Sequence, residues 1–282
     1  MDRIGPKFYD NKLQDTFDRM GYARMQLLNQ NEVHALRNIY KDFKNEHDAI
    51  NLPFITTSHS NNAELVNKVN ELILGVVREK IMEKIVNSEI LFSNFLVKKP
   101  GDNSESNPHQ DMNIVDENRY LSFSVWIALD DNNPLNGAMR ILAKSHLFDY
   151  SVRTNSNPYW RYNNVLDEIK RDMMTCCTSA GEALVFAHKT IHGSFPNLST
   201  KDRLACVVSL YPKDAELINY YITQDEPAKL QLYAMSCDAF IKYIKEEEPH
   251  HGRLIKEDDF VNEQVDSAQY QRLEVAVNRW KH

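Results

Sequence analysis

The stretch 107–113, NPHQDMN, sets an imidazole and a carboxylate, His109 and Asp111, two residues apart, directly after the polar run PGDNSES. In an extended segment residues i and i+2 share a face, so both side chains can point into one cavity. Taken alone, an H-x-D triplet reads equally well as a solvated polar turn. A third donor raises it: His192, in AHKTIHGSFPN, ends an apolar run 83 residues after His109 and is followed by a glycine that frees the turn. Two imidazoles and one carboxylate are the facial set of non-haem iron(II) sites, which leaves coordination positions open. Arg203 follows His192 by eleven residues, at the start of another apolar run. Its planar fork can bind the remote carboxylate of a 2-oxo acid by two charge-assisted hydrogen bonds, a geometry that lysine lacks.

The other histidines read more plainly. His188 stands four residues before His192, but the glutamate of H-E-x-x-H is missing and EALVF reads as strand, where four residues span roughly 13 Å. It is expected beside the ligands or in a structural role. His146 is expected to tie a turn, and the apolar residues of 91–96 to fill a barrel.

These residues need a scaffold whose strands end near one another. Val33, Leu36, Tyr40 and Phe43 repeat at helical spacing, as do Leu65, Val66, Val69, Leu72, Ile73, Val76, Val77, Ile81 and Ile85. The N-terminal third is therefore predicted helical, with LPFITTSHSNN as a loop between the two helices that covers the mouth of a pocket. After Ile90 the period changes: LFSNFLVKK, YLSFSVWIALDD, GAMRILAKSH, EALVFAHKTIH and RLACVVSLYPKD are branched and aromatic runs separated by turn residues. Strands do not alternate regularly with helices, so a doubly wound parallel sheet does not fit, whereas two packed antiparallel sheets of the jelly-roll kind do. SNPYWRYNNVLDEIKRDMM interrupts the strands with a loop and a short helix. The expected organisation is mainly β with flanking helices: 1–90 helical support and lid loop, 91–214 jelly-roll core, 215–282 a segment packing on that core.

Composition narrows the partners. A formal charge of -7 and a pI near 5.8 oppose extended binding to phosphate backbones, so nucleic acid is not an expected partner. No apolar run approaches the roughly 20 residues of a membrane span, and the start shows no leader-like apolar stretch, so a cytoplasmic location without membrane attachment is expected. The cysteines 176, 177, 206 and 237 lack C-x-x-C spacing and are expected reduced.

At this point the chain resembles the phytanoyl-CoA dioxygenase-like family of iron(II)- and 2-oxoglutarate-dependent oxygenases. The matching stretches are FLVKKPGDNSESNPHQD, SVWIALDDNNPLNGAMRILAKSH and AGEALVFAHKTIHGSFPNLSTKDRL, in the family's order, between about Leu91 and Pro212. The resemblance implies a double-stranded β-helix (cupin-like) core with His109, Asp111 and His192 as iron ligands. It implies Arg203 as the 2-oxoglutarate anchor assisted by Ser194, with Trp126 flanking the cosubstrate and Phe95 lining the same pocket. One departure stands out: where the family carries a Pro-Gly-Ser-His turn, this chain has Ala143 and Lys144 before Ser145.

The implied activity is hydroxylation of an unactivated C–H bond by molecular oxygen, with release of succinate and carbon dioxide. Desaturation, ring closure or epimerisation are alternatives within the same cofactor chemistry, and a non-catalytic jelly-roll binder is an alternative outside it. The expected substrate is a small polar metabolite, an amino acid or natural-product intermediate, free or tethered to a carrier protein. Its expected anchors are Arg140, a charge set in the apolar strand GAMRILA, with Phe54 and Arg119 as further contacts. If the face of Ala138, Arg140 and Leu142 lined the barrel, a substrate carboxylate would be one partner for the buried guanidinium. The residues do not specify an oligomeric state.

Overall fold

The computed structural model describes residues 3–148, 150–154, 160–225, 227–243 and 251–279. Strand β1 (Lys7–Phe8) leads into helix α1 (Asn11–Met20), whose first turn is capped by the Asp10 carboxylate. Gly21 ends α1 in the left-handed region at φ 80, a conformation that suits glycine. Strand β2 (Tyr22–Gln26) follows, then helix α2 (Gln30–Asp42), opened by a capping box between Asn29 and Glu32, and helix α3 (Lys44–Asp48). After strand β3 (Phe54–Thr56), helix α4 (Ala63–Met82) buries Leu65, Val66, Val69, Ile73, Val77 and Ile81 along one stripe. Each such aliphatic burial contributes about 1.5–3 kcal/mol before entropy is counted.

The strands that follow are β4 (Ile85–Val86), β5 (Ser88–Lys98), β6 (Ser106–His109), β7 (Phe123–Ala128) and β8 (Met139–Ile141). After helix α5 (Leu166–Asp172) come β9 (Met174–Cys176), β10 (Glu182–Ala187), β11 (His192–Ser194) and β12 (Arg203–Pro212). β4 pairs with β1, and the others join β2 and β3 in two antiparallel sheets, a large one in the order β2-β10-β7-β12-β5-β3 and a small one in the order β6-β11-β8-β9. One face of the large sheet packs on the helices, where Phe95, Val97, Val125, Ile127 and Val208 meet Leu36, Val69, Ile73 and Val77. The other face turns toward the small sheet, where Trp126, Leu184, Phe186 and Ala205 meet Met139. Burial on both faces explains why β7, FSVWIA, is buried at every position instead of alternating.

The N-terminal third is not purely helical. Its strands β2 and β3 form the two edges of the large sheet. The segment expected as a loop, LPFITTSHSNN, pairs Phe54, Ile55 and Thr56 with Lys98, Val97 and Leu96 before a single 3-10 turn, Thr57–His59. These strands are short, and their pattern becomes legible only beside a partner that satisfies their backbone groups. In the interrupting segment α5 is present, and 155–159 lies outside the described residues.

The C-terminal segment adds a three-stranded antiparallel sheet of β13 (Ile218–Ile222), β14 (Lys229–Ala234) and β15 (Arg253–Asp259). It also adds helices α6 (Cys237–Tyr243) and α7 (Ser267–Arg279). Phe240 of α6 packs with Leu91 and Phe92, and Tyr270 and Val277 of α7 pack with Leu142, Phe148 and Ile169.

Candidate active site

The β6–β11 pairing sets the site. His109 and His192 are register partners across the two strands, and their ring centroids lie 4.3 Å apart. Gly193 permits this closeness, since a Cβ there would lie 2.7 Å from the Ser106 carbonyl oxygen of β6. His109 Nδ1 lies 2.8 Å from the Asn107 carbonyl and His192 Nδ1 lies 3.0 Å from the Thr190 carbonyl. A carbonyl only accepts, so each Nδ1 carries its proton and each Nε2 presents a lone pair, the arrangement of metal-bound imidazoles. One ligand atom from each of His109, Asp111 and His192 falls within 4.8 Å of the other two.

The Asp111 carboxylate is held on both sides. Ser124 Oγ donates to Oδ2 at 3.3 Å, and His188 Nε2 lies 3.1 Å from that hydroxyl. Oδ1 lies 3.7 Å from His192 Nε2 and is left for a metal. Burial pushes the carboxyl up, but the fields of His192, His188, His109 and Arg153 outweigh it and hold Asp111 below the usual carboxylate range. Burial, with His109 as a second cause, drives His192 down to about 4. The backbone is fixed as well: Asp111 N–H donates to the His188 carbonyl at 3.0 Å, and Arg153 Nε donates to the Asp111 carbonyl at 2.6 Å. Arg153 is gripped in turn by the fully buried carboxylate of Glu117.

The three clustered residues, His109, Asp111 and His192, line a cavity of about 480 Å³ between the sheets, within the ordinary range for a small-molecule site. Arg203, Ser194 and Trp126 line its inner end, with the Arg203 guanidinium 5.4 Å from the Trp126 ring. Arg203 is 2% exposed, and its Nε and Nη1 find no hydrogen-bond partner among the described residues. Burial alone drives its pKa down to about 10. The cavity lining also includes the apolar Leu91, Phe92, Met112, Ile114 and Phe240 and the polar groups of Thr56, Ser58, His59 and Asn94.

Several expected contacts change place. Phe95 does not line the cavity; it lies on the helix face, 5.6 Å from the Tyr40 ring and 6.1 Å from the His47 ring. Strand parity is the reason, because Phe92, Asn94, Leu96 and Lys98 take the cavity side of β5. Arg140 also points away, donating to the Lys170 carbonyl with its guanidinium over the Phe195 ring, while Met139 takes the cavity face. Arg119 is exposed and stacks on Tyr120 at 5.3 Å. Phe54 does line the cavity. His188 falls beside the ligand cluster, and His146 ties its turn to α1 through the Asp18 carbonyl at 3.0 Å. Ser124, Glu117 and Arg153 carried no sequence signal, since a lone serine or ion pair is recognisable only by its neighbours.

With this geometry in view, comparison with known proteins identifies the class. The family model of phytanoyl-CoA dioxygenase (PhyH) matches residues 13–205, and the chain belongs to that family. A phytanoyl-CoA dioxygenase of Arabidopsis thaliana is 28% identical over 128 residues, which cover 44% of this chain and 45% of the relative. Phytanoyl-CoA dioxygenase 1 of Oryza sativa subsp. japonica is 27% identical over 130 residues, and the match again spans 45% of the relative. Among solved structures, the non-heme alpha ketoglutarate dependent carbocyclase SnoK from nogalamycin biosynthesis superposes with a TM-score of 0.54 at 19% identity, covering 76% of this chain and 89% of its own. The epimerase SnoN from the same biosynthesis gives a TM-score of 0.54 at 14% identity, covering 87% and 94%. These two likenesses establish a shared fold. No helix among the described residues is long and apolar enough to cross a membrane.

Proposed function

We propose that this chain is an iron(II)- and 2-oxoglutarate-dependent oxygenase acting on a small molecule, with hydroxylation of a C–H bond as its leading outcome. The observation that carries the reading is one cavity holding both a three-donor cluster of two imidazoles and a carboxylate and, at its inner end, a buried guanidinium with unpaired donors. An unpaired buried cation is costly, and a carboxylate at that point would relieve it. Membership of the phytanoyl-CoA dioxygenase family supports the same reading.

In this mechanism His109 Nε2, His192 Nε2 and Asp111 Oδ1 would hold the metal. Arg203 would hold the remote carboxylate of the cosubstrate, and Trp126, beside the Arg203 guanidinium, would border it. When bound, iron(II) would activate molecular oxygen, the oxidant, while 2-oxoglutarate would give up two electrons in its decarboxylation to succinate and carbon dioxide and the substrate C–H bond would give up the other two. Leu91, Phe92, Ile114 and Phe240 exclude water and hold the target bond near the ligand cluster. Among the described residues, the charged side chains lining the cavity apart from its histidines are Asp111 and Arg203. Both are engaged by metal and cosubstrate in this reading, so the part of the substrate that enters is uncharged. An anionic amino acid anchored by Arg140 does not fit this lining. A neutral, partly apolar molecule with hydroxyl groups for Asn94, Ser58 and His59 does.

A second outcome on the same cofactors, ring closure or epimerisation, is favoured by the fold shared with proteins described as a carbocyclase and an epimerase. The test is an anaerobic absorbance titration with iron(II) and 2-oxoglutarate, followed by succinate measurement in air. A visible charge-transfer band needing both additions supports the reading. Its absence at millimolar cosubstrate leaves a non-catalytic binder ahead.

A further inference from the structure

Lys98 ends β5, has no exposed surface and lies behind the lining of the cavity, which it reaches through the lining residue Ser194. It is the register partner of Arg203 on β12. Residues directly opposite on antiparallel strands project to the same face, and like charges there destabilise the sheet unless an anion joins them. Glu105, the acid whose field reaches Lys98, pairs with Lys170 at 3.0 Å. Two cations thus stand together, Arg203 lining the cavity and Lys98 behind it, and Arg203 Nε and Nη1 face no acceptor among the described residues.

The Lys98 ammonium donates to the Ser104 carbonyl at 2.5 Å, the Phe195 carbonyl at 2.8 Å and Ser194 Oγ at 2.8 Å. An ammonium has only donors, so Ser194 Oγ accepts from it and keeps its own proton for another partner. That hydroxyl, on β11 of the small sheet, lines the same cavity as Arg203 on β12 of the large one. The lysine is seated in a slot: a Cβ on Gly137, at φ +89, would lie 2.5 Å from Lys98 Cδ.

We propose that Lys98 is a positioning residue for the remote carboxylate of the cosubstrate. It fixes the Ser194 hydroxyl as a proton donor beside Arg203, and its positive charge makes this end of the cavity select a carboxylate over a neutral group. The inference rests on the 2-oxoglutarate reading given above. Burial, followed by the field of Arg203, drives Lys98 down to about 7, so an arriving anion is what stabilises its charged form. A lysine that merely tied β5 to β11 would not discriminate between ligands.

The experiment is anaerobic titration calorimetry of the iron(II)-loaded protein with 2-oxoglutarate and with 2-oxoglutaramate, its 5-amide. The proteins compared are the wild type, Lys98→Met, Ser194→Ala and the double variant. Lys98→Met should erode the preference for the acid over the amide by about ten- to hundredfold, the worth of a hydrogen bond to a charged group. Iron(II) affinity should stay unchanged. Ser194→Ala should erode the preference in the same direction, and the double variant should lose less than the two single losses combined, since the residues act as a unit. Equal weakening toward both ligands, or no weakening, in Lys98→Met overturns the proposal. If Lys98→Met shows no cooperative melt, Ser194→Ala decides, and full retention of the preference there overturns it. A wild type that does not bind 2-oxoglutarate overturns the cofactor reading itself. A wild type that binds it, with variants of unchanged preference, overturns only the role of Lys98.

Discussion

At the scale of single residues the site depends on which atom of each group is free. The Nδ1 bonds of His109 and His192 to backbone carbonyls expose Nε2, and the Ser124 bond to Asp111 Oδ2 exposes Oδ1. Asp111→Ala should abolish substrate-dependent succinate release while the melting transition survives. His188→Ala removes the partner of Ser124 and a neighbour of the Asp111 carboxylate, and should lower iron(II) affinity about 10- to 100-fold, as loss of an outer partner commonly does. Equal effects in a metal-binding titration would contradict the separation between ligand and support. Arg203→Met should raise the apparent 2-oxoglutarate constant about 30-fold or more, because a buried charge pair loses one partner. Iron(II) binding, measured without cosubstrate, should be unaffected.

At the scale of elements the ligands are only as well placed as the segments that carry them. The turn before Ser145 bears Lys144 at φ 68, where the family has glycine, and a side chain in that region costs about 1 kcal/mol. Lys144→Gly should therefore stabilise the protein by about 0.5–1 kcal/mol in denaturant melts, because the site already has the glycine-like conformation. The buried Glu117–Arg153 pair joins the segment after Asp111 to the one near Ser151, and neither side chain is more than 4% exposed. Glu117→Gln leaves Arg153 charged and unpaired, and should destabilise by about 3–5 kcal/mol. A loss within 0.5 kcal/mol in the same melts would show that the clamp is not needed.

At the scale of the whole molecule, acid stability depends on histidines buried neutral. Burial drives His146 down to about 4, against an ordinary 6.5, and its one bonded nitrogen donates to the Asp18 carbonyl. The folded state therefore binds fewer protons than the unfolded chain between these values. His146 leaves stability intact above 6.5 and lowers it as pH falls toward 4, by about 3 kcal/mol in total. His146→Gln should flatten that part of the pH–stability profile relative to the wild type. An unchanged slope in chemical denaturation between these pH values would remove His146 from the account.

The candidate ligand set and the change from helical to strand periodicity were legible in the sequence alone, because each donor and each period is read locally, and the fold brings the three donors within 4.8 Å of one another. An H-x-D triplet and a distant histidine before glycine can be read one by one, and alternation fixes which residues of a strand share a side. What alternation cannot say is which side becomes the cavity. The large sheet is buried on both faces, so Phe95 and Leu96 are equally apolar in sequence and only the packing of Tyr40 and His47 assigns Phe95 to the helices. The same ambiguity misplaced Arg140, whose neighbour Met139 faces the site. Lys98 and Arg203, 105 residues apart, become cationic neighbours only through the β5–β12 register. Strand pairing between distant segments is set by the whole chain's burial and hydrogen bonding, and that is why tertiary structure alone decided it.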